Sequence, residues 1–211
     1  MSKLRADWQC ASHHGEIIAV FPENNEEIEM AEKKAINPAP LGLSGFALTT
    51  WLLSMVNAGW FPGADVPMVL AAAFAFGGTA QFVAGVAEGF VGNGFGFVAF
   101  CGYGAFWWSF ALFVDFFAKG VGGPFVGWYL LLWGVFTTYL WIATWKKGRA
   151  LMLVFTALVP TFYLLAAGAL TGNSGLTVFG GYLGLITAAL AFYLAGAEVI
   201  NEAWGRVVLP V

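Results

Sequence analysis

Polar residues dominate the chain as far as Ile36, and from Leu41 onward apolar runs of about twenty residues alternate with short polar or glycine-rich breaks. A run of that length crosses roughly 30 Å of hydrocarbon as a helix. The pattern predicts six of them, near Leu41–Phe61, Pro67–Ala87, Gly94–Phe117, Phe125–Trp145, Ala150–Leu170 and Leu176–Val199. The breaks read PGADV, EGFVGN, AKGVGGP, KKGR and TGNSG. Turn residues crowd them, as joins between adjacent helices require. The expectation is an all-α integral membrane protein with six transmembrane helices per protomer. An acidic tail at residues 1–36 precedes a membrane domain at 37–211.

Composition strengthens that reading. Of the 211 residues, 60% are hydrophobic and only 10% charged, with a mean hydropathy of +0.77; soluble domains are about one quarter charged. Glycine, at 28 residues, is commoner in membrane helices than in soluble ones. A net charge of −3 argues against nucleic acid as a partner. Cys10 and Cys101 lie too far apart in sequence and setting to suggest a disulfide framework, and the polar, acidic start does not read as a secretory signal.

Basic residues choose an orientation. Six spans put both ends on one side, and an internal N-terminus leaves Lys33, Lys34, Lys146, Lys147, Arg149 and Arg206 in the cytoplasm with only Lys119 outside. That is the positive-inside bias, so both termini are expected in the cytoplasm of a multi-pass protein of the cell membrane. Within the tail, NNEEIEMAEKKA suits a short helix capped by Asn24 or Asn25, with Glu29 and Lys33 spaced to pair. It reads either as a plug or docking element or as a solvated extension. Cys10, His13 and His14 lack a partner motif for a metal.

What the spans lack narrows their chemistry. None contains Lys or Arg, and no His follows His14, which excludes a retinal Schiff base, a histidine proton relay and an arginine voltage sensor. No metal cluster, nucleophile–base pair or phosphate loop points to an enzyme, and no cofactor is called for. An anion inside would have to be met by hydroxyls, amides and helix N-terminal dipoles, and such weak binding suits rapid passage. Glu88, Asp115 and Glu198 lie at or near span ends. Asp115 and Glu198 read as interfacial. Glu88 shares a helix face with Gln81, seven residues earlier, and is a candidate for proton coupling, with capping or interhelical bonding the alternative. Thr50, Ser54 and Asn57 line one face of the first span and suggest a wetted path. Gly180, Gly184 and Ala188, and Gly85 with Gly89, mark close packing of helices within a protomer or between protomers.

The first span opens with INPAPLG at residues 36–42. Asn37 suits an N-cap, Pro38 and Pro40 suit positions that need no N–H, and the result is a rigid, electropositive helix start fit to receive a small anion. Water channels carry two Asn-Pro-Ala triplets; this chain has one. The longer string NPAPLGL resembles the signature of the acetate uptake transporter family, the succinate–acetate permeases. GGTAQFVAGVAEG at 77–89, YGAFW at 103–107, YLLLWGVFT at 129–137, KKGRAL at 146–151 and AEVINEAWGRVVLP at 197–210 are similar to family segments in the same order.

The resemblance implies a homohexamer in the bilayer, each protomer enclosing its own path for acetate and other short carboxylates. It implies a constriction at Phe46, Tyr103 and Leu158, a ring of apolar side chains with one hydroxyl. The path is expected to begin near Asn37, Pro38 and Pro40, and to pass Thr50 and Gln81. Tyr103 is expected to offer its hydroxyl to the carboxylate. Pro160, two residues beyond Leu158, is expected to kink the fifth span and shift the constriction. Three mechanisms follow from these residues: channel-like passage, proton-coupled symport through Glu88, or an acetate sensor that signals through its tail.

Overall fold

The computed structural model describes residues 36–211. The tail's expected helix, its Glu29–Lys33 pair and its Cys10, His13 and His14 lie outside the described residues. Among those described, six helices are long and apolar enough to cross a membrane: α1 Ala39–Asn57, α2 Gly63–Phe90, α3 Gly94–Phe117, α4 Gly123–Thr144, α5 Arg149–Thr171 and α6 Ser174–Trp204.

Local chemistry explains where they stop. α1 ends four residues short of the expected Phe61, because the chain turns at Gly59 with φ +78°. Gly172 at φ +69° ends α5 and Gly205 at φ +62° ends α6, each left-handed as a helix C-terminus favours. Asn93 caps α3 by accepting from the Gly96 N–H, and Asn173 caps α6 by accepting from that of Gly175. α6 runs past the expected Val199 to Trp204, since its last polar turn stays helical beyond the apolar run. Two segments are wound as π-helix: Ala73–Ala80 within α2 and Phe113–Phe117 at the end of α3.

The start of α1 corrects one expectation. Pro38, not Asn37, holds the cap position, and Asn37 sits one residue further out. Its side-chain oxygen still accepts from the Ala39 N–H at 3.1 Å. Its amide donates to Glu198 Oε2 at 3.0 Å, tying the start of α1 to the end of α6. Pro160 does not break α5, which is one continuous helix from Arg149 to Thr171.

The tightest pairings are α1 with α6, α4 with α5, α5 with α6, and α2 with α3. Small residues make them. Gly184 lies against Ser54, Gly181 against the Asn57–Ala58 backbone, and Gly85 against the Cys101 backbone, each too close for a Cβ. The small-residue motifs are therefore seams inside the protomer. α3 and α4 barely meet through their backbones. Rings fill that gap instead, with Phe106 and Trp133 centred 5.2 Å apart and Tyr103 and Phe136 5.4 Å apart. Facing outward are large apolar side chains such as Phe125, Leu132 and Phe90, as a hydrocarbon surround requires.

Candidate functional site

Three helices line the interior with positions spaced by three or four residues, or by their sum, on one face. On α1 these run Ala39, Leu43, Phe46, Leu53 and Asn57; on α3 they include Phe95, Ala99, Tyr103, Phe106 and Phe110; on α5 they run Leu151, Phe155, Leu158, Phe162, Leu165 and Ala169. Such spacing keeps one stripe of a helix turned to the same side along its whole length. The three stripes together bound a series of three cavities.

At the end that holds Asn37, a cavity of about 350 Å³ is lined by Ala39, Glu88, Asn93, Lys147 and Glu198 among others. At the opposite end, one of about 430 Å³ is walled by Phe106, Phe110, Phe117, Tyr129 and Phe162, with Asn57 and Thr177 as polar members. Between them lies a neck of about 30 Å³. Its walls include Phe46, Tyr103 and Leu158, together with Gln81, Leu43, Phe95 and Phe155. The neck shares Leu43, Phe95, Phe100 and Leu151 with the first cavity. Towards the second, the Tyr103 ring stacks on Phe162 at 6.5 Å, and Phe162 meets Phe106 edge-on at 5.5 Å.

The polar groups of the neck are unequal. Gln81 is fully buried, and both its amide nitrogen and its carbonyl oxygen lack a protein hydrogen-bond partner. A buried polar group without a partner costs about 1–3 kcal/mol, so proteins seldom keep one without use. Tyr103, by contrast, donates its hydroxyl to Thr137 Oγ1 at 2.9 Å, and Thr137 donates in turn to the Trp133 carbonyl at 2.7 Å. In this structure the Tyr103 hydroxyl proton is bonded to α4, and the neck's polar group without a protein partner is Gln81.

The other residues named from sequence divide in the structure. Thr50 lies on the α1 stripe between Phe46 and Leu53, buried and with its hydroxyl unpaired. Ser54 leaves that face to pack on Gly184, while Asn57 lines the far cavity, so the expected Thr50–Ser54–Asn57 stripe is split between packing and a cavity wall. Pro38 and Pro40 are buried in packing and line none of the three cavities. Asp115 is exposed at the end of α3. Leu158 keeps its place in the neck despite Pro160. Glu88 lines the first cavity and is nearly fully buried; its Oε2 accepts from the Asn93 amide at 2.8 Å and its Oε1 has no partner.

Three participants in that cavity were missed from sequence. Glu198 reads as interfacial by position, yet it lines the wall with the Asn37 amide bound to it. Asn93 looks like a loop residue and is both cap and carboxylate partner. Lys147 comes from the α4–α5 loop, and its ammonium sits 5.0 Å above the Phe95 ring. The available signal was the spacing by three or four residues on α1 and α3, which brings Leu43 and Phe95 into line with Phe46 and Tyr103.

Residues 22–211 match the GPR1/FUN34/yaaH family. The chain belongs to that family. The succinate-acetate/proton symporter SatP of Escherichia coli is 44% identical over 186 residues, 86% of this chain and 98% of the relative. Acetate permease A of Emericella nidulans is 35% identical over 198 residues, 85% of this chain and 66% of the relative. Among solved structures, that of the bacterial acetate channel SatP superposes with a TM-score of 0.81 at 44% identity, covering 84% of this chain and 99% of that one. With six apolar spans of its own, this family member is a multi-pass membrane protein.

Proposed function

We propose that the protein is a permease, not an enzyme, that passes acetate and related short carboxylates, succinate among them, along one continuous path within each protomer. The observation that carries this reading is the neck: about 30 Å³ of space between two far larger cavities, apolar except for the Tyr103 hydroxyl, which is bonded to Thr137, and one buried amide with nothing in the protein to bind. Phe46, Tyr103 and Leu158 strip water from the solute, and the Gln81 amide replaces part of what is lost. Its N–H donors suit a carboxylate oxygen. Thr50 is the next hydroxyl on the α1 stripe.

The physiological arrangement we infer is a homohexamer in the cell membrane, with both termini and the Asn37 cavity on the cytoplasmic side. There Lys147 offers attraction to an anion, and Glu88 and Glu198 are each held by an asparagine amide. Channel-like passage is favoured because a single narrow point separates the two cavities. The names of the two SatP proteins divide on this point, one a symporter and one a channel.

Radiolabelled acetate uptake into liposomes holding the purified protein, with and without an imposed pH gradient, tests the assignment. Equilibrating uptake with acetate current in bilayers supports the channel. Concentrative uptake only under an inward proton gradient supports symport, and Glu88→Gln should then abolish the pH dependence. For a channel, the Glu88→Gln variant should keep the wild-type pH dependence. No uptake by folded protein in either condition refutes the permease reading. A sensor role is tested by deleting residues 1–34, which for a permease leaves uptake unchanged.

A further inference from the structure

Gln81 is the first residue after the π-wound segment Ala73–Ala80. A π turn holds one more residue than an α turn, and one extra residue rotates everything downstream by about 100° relative to an unbroken α-helix. The winding of Ala73–Ala80 therefore decides which side of α2 Gln81 occupies. Glu88, seven residues on, turns with it. Were this segment to relax to α geometry, the amide would leave the neck.

The segment carries a latch on its outer side. The Thr79 hydroxyl donates to the Phe74 carbonyl, five residues back, at 2.7 Å. The Trp108 indole N–H, from α3, is shared between that carbonyl at 3.4 Å and the Thr79 oxygen at 3.3 Å. The indole also stacks near Phe82, at 4.9 Å between centroids. Gly78 lies so close beneath the indole that no Cβ would fit. Five residues is the interval of a π turn, so these bonds pin the wider winding to a neighbouring helix. Neither Thr79 nor Trp108 lines the neck or the two cavities.

We propose that Thr79 and Trp108 are positioning residues for permeation: by clamping the Phe74 carbonyl they hold α2 in the winding that turns Gln81 into the neck. The inference rests on the permease reading above and gives it a control at a distance from the path.

The test is a double-mutant cycle on acetate flux in liposomes, with Thr79→Val, Thr79→Ser, Trp108→Phe and Gln81→Leu made singly, and Thr79→Val and Trp108→Phe each combined with Gln81→Leu. Thr79→Val and Trp108→Phe should each lower acetate flux towards that of Gln81→Leu, by about tenfold, while Thr79→Ser keeps the wild-type rate. In the Gln81→Leu background neither should cause further loss, because the group they position is gone. A residue serving stability alone would instead lower the folded fraction, measured by thermal unfolding, without this non-additivity. Losses that multiply in the double variants, or a folded Thr79→Val or Trp108→Phe variant that passes acetate at the wild-type rate, overturn the proposal. Trp108→Phe keeps the ring and removes only the N–H, so it decides the matter if Thr79→Val does not fold. Absence of acetate flux in the wild type, run in parallel, refutes the permease reading instead.

Discussion

Replacing Gln81 by Leu should make the protein more stable and less active at once. The side chain is fully buried, and neither end of its amide has a protein partner. An unmet buried polar group costs about 1–3 kcal/mol, and leucine is close enough in volume to occupy the same space without forcing the neck open. Removing the amide should therefore raise the unfolding free energy by about that amount. Flux should move the other way. A carboxylate in the neck loses a hydrogen bond worth about 1.5–3 kcal/mol to a charged group, and at 1.4 kcal/mol per factor of ten the barrier grows by roughly 10- to 150-fold in rate. Thermal unfolding in detergent reads the first effect, and acetate uptake into liposomes the second. If Gln81→Leu unfolds more easily than wild type and carries acetate equally well, the amide serves packing, and the assignment of the neck's polar group is wrong.

Two further substitutions separate the roles of the neck residues. Tyr103→Phe removes a donor committed to Thr137, whose own hydroxyl stays bonded to the Trp133 carbonyl; it should cost about 0.5–1.5 kcal/mol in thermal unfolding while changing acetate flux by well under tenfold. A loss as large as that of Gln81→Leu would restore the hydroxyl as the solute's partner. Leu158→Ala should enlarge the neck and admit bulkier carboxylates such as butyrate, at a stability cost of about 2–5 kcal/mol, read by competition in the uptake assay and by thermal unfolding.

How much of this was legible beforehand depended on the physical signal each feature leaves. Six spans were plain because a hydrocarbon core demands long apolar runs, and the turns between them were plain because glycine and asparagine mark them. The seam at Gly184 and Ser54 was half legible: the small residue announced close packing, but only the fold shows that Ser54 belongs to it and not to the path. The π winding at Ala73–Ala80 left no trace in composition, since any apolar helical sequence is compatible with it until a neighbour such as Trp108 supplies the latch. Vestibule contacts such as Asn37 with Glu198 join residues 161 positions apart, and no local pattern encodes that. Gln81 and Glu88 stayed together on one face because both follow the π segment, so their spacing survived a rotation that local periodicity could not foresee.

The proposed path is strongly asymmetric, and the asymmetry bears on where water is lost. Charged groups and their asparagine partners gather at one end, around Glu88, Glu198 and Lys147. The other cavity is walled mainly by aromatic and aliphatic side chains. On the proposed path, a carboxylate entering from the charged end keeps polar company up to the neck and sheds its hydration there in one step, against Leu43, Phe95 and Phe155. One approaching from the aromatic end sheds water over a longer distance and gains apolar contact with its methyl group as it does so. In both directions the first polar side chain in the neck without a protein partner is Gln81. On the permease reading proposed above, the burial of that amide is the cost carried by the folded protein so that a dehydrated carboxylate meets a donor in the neck.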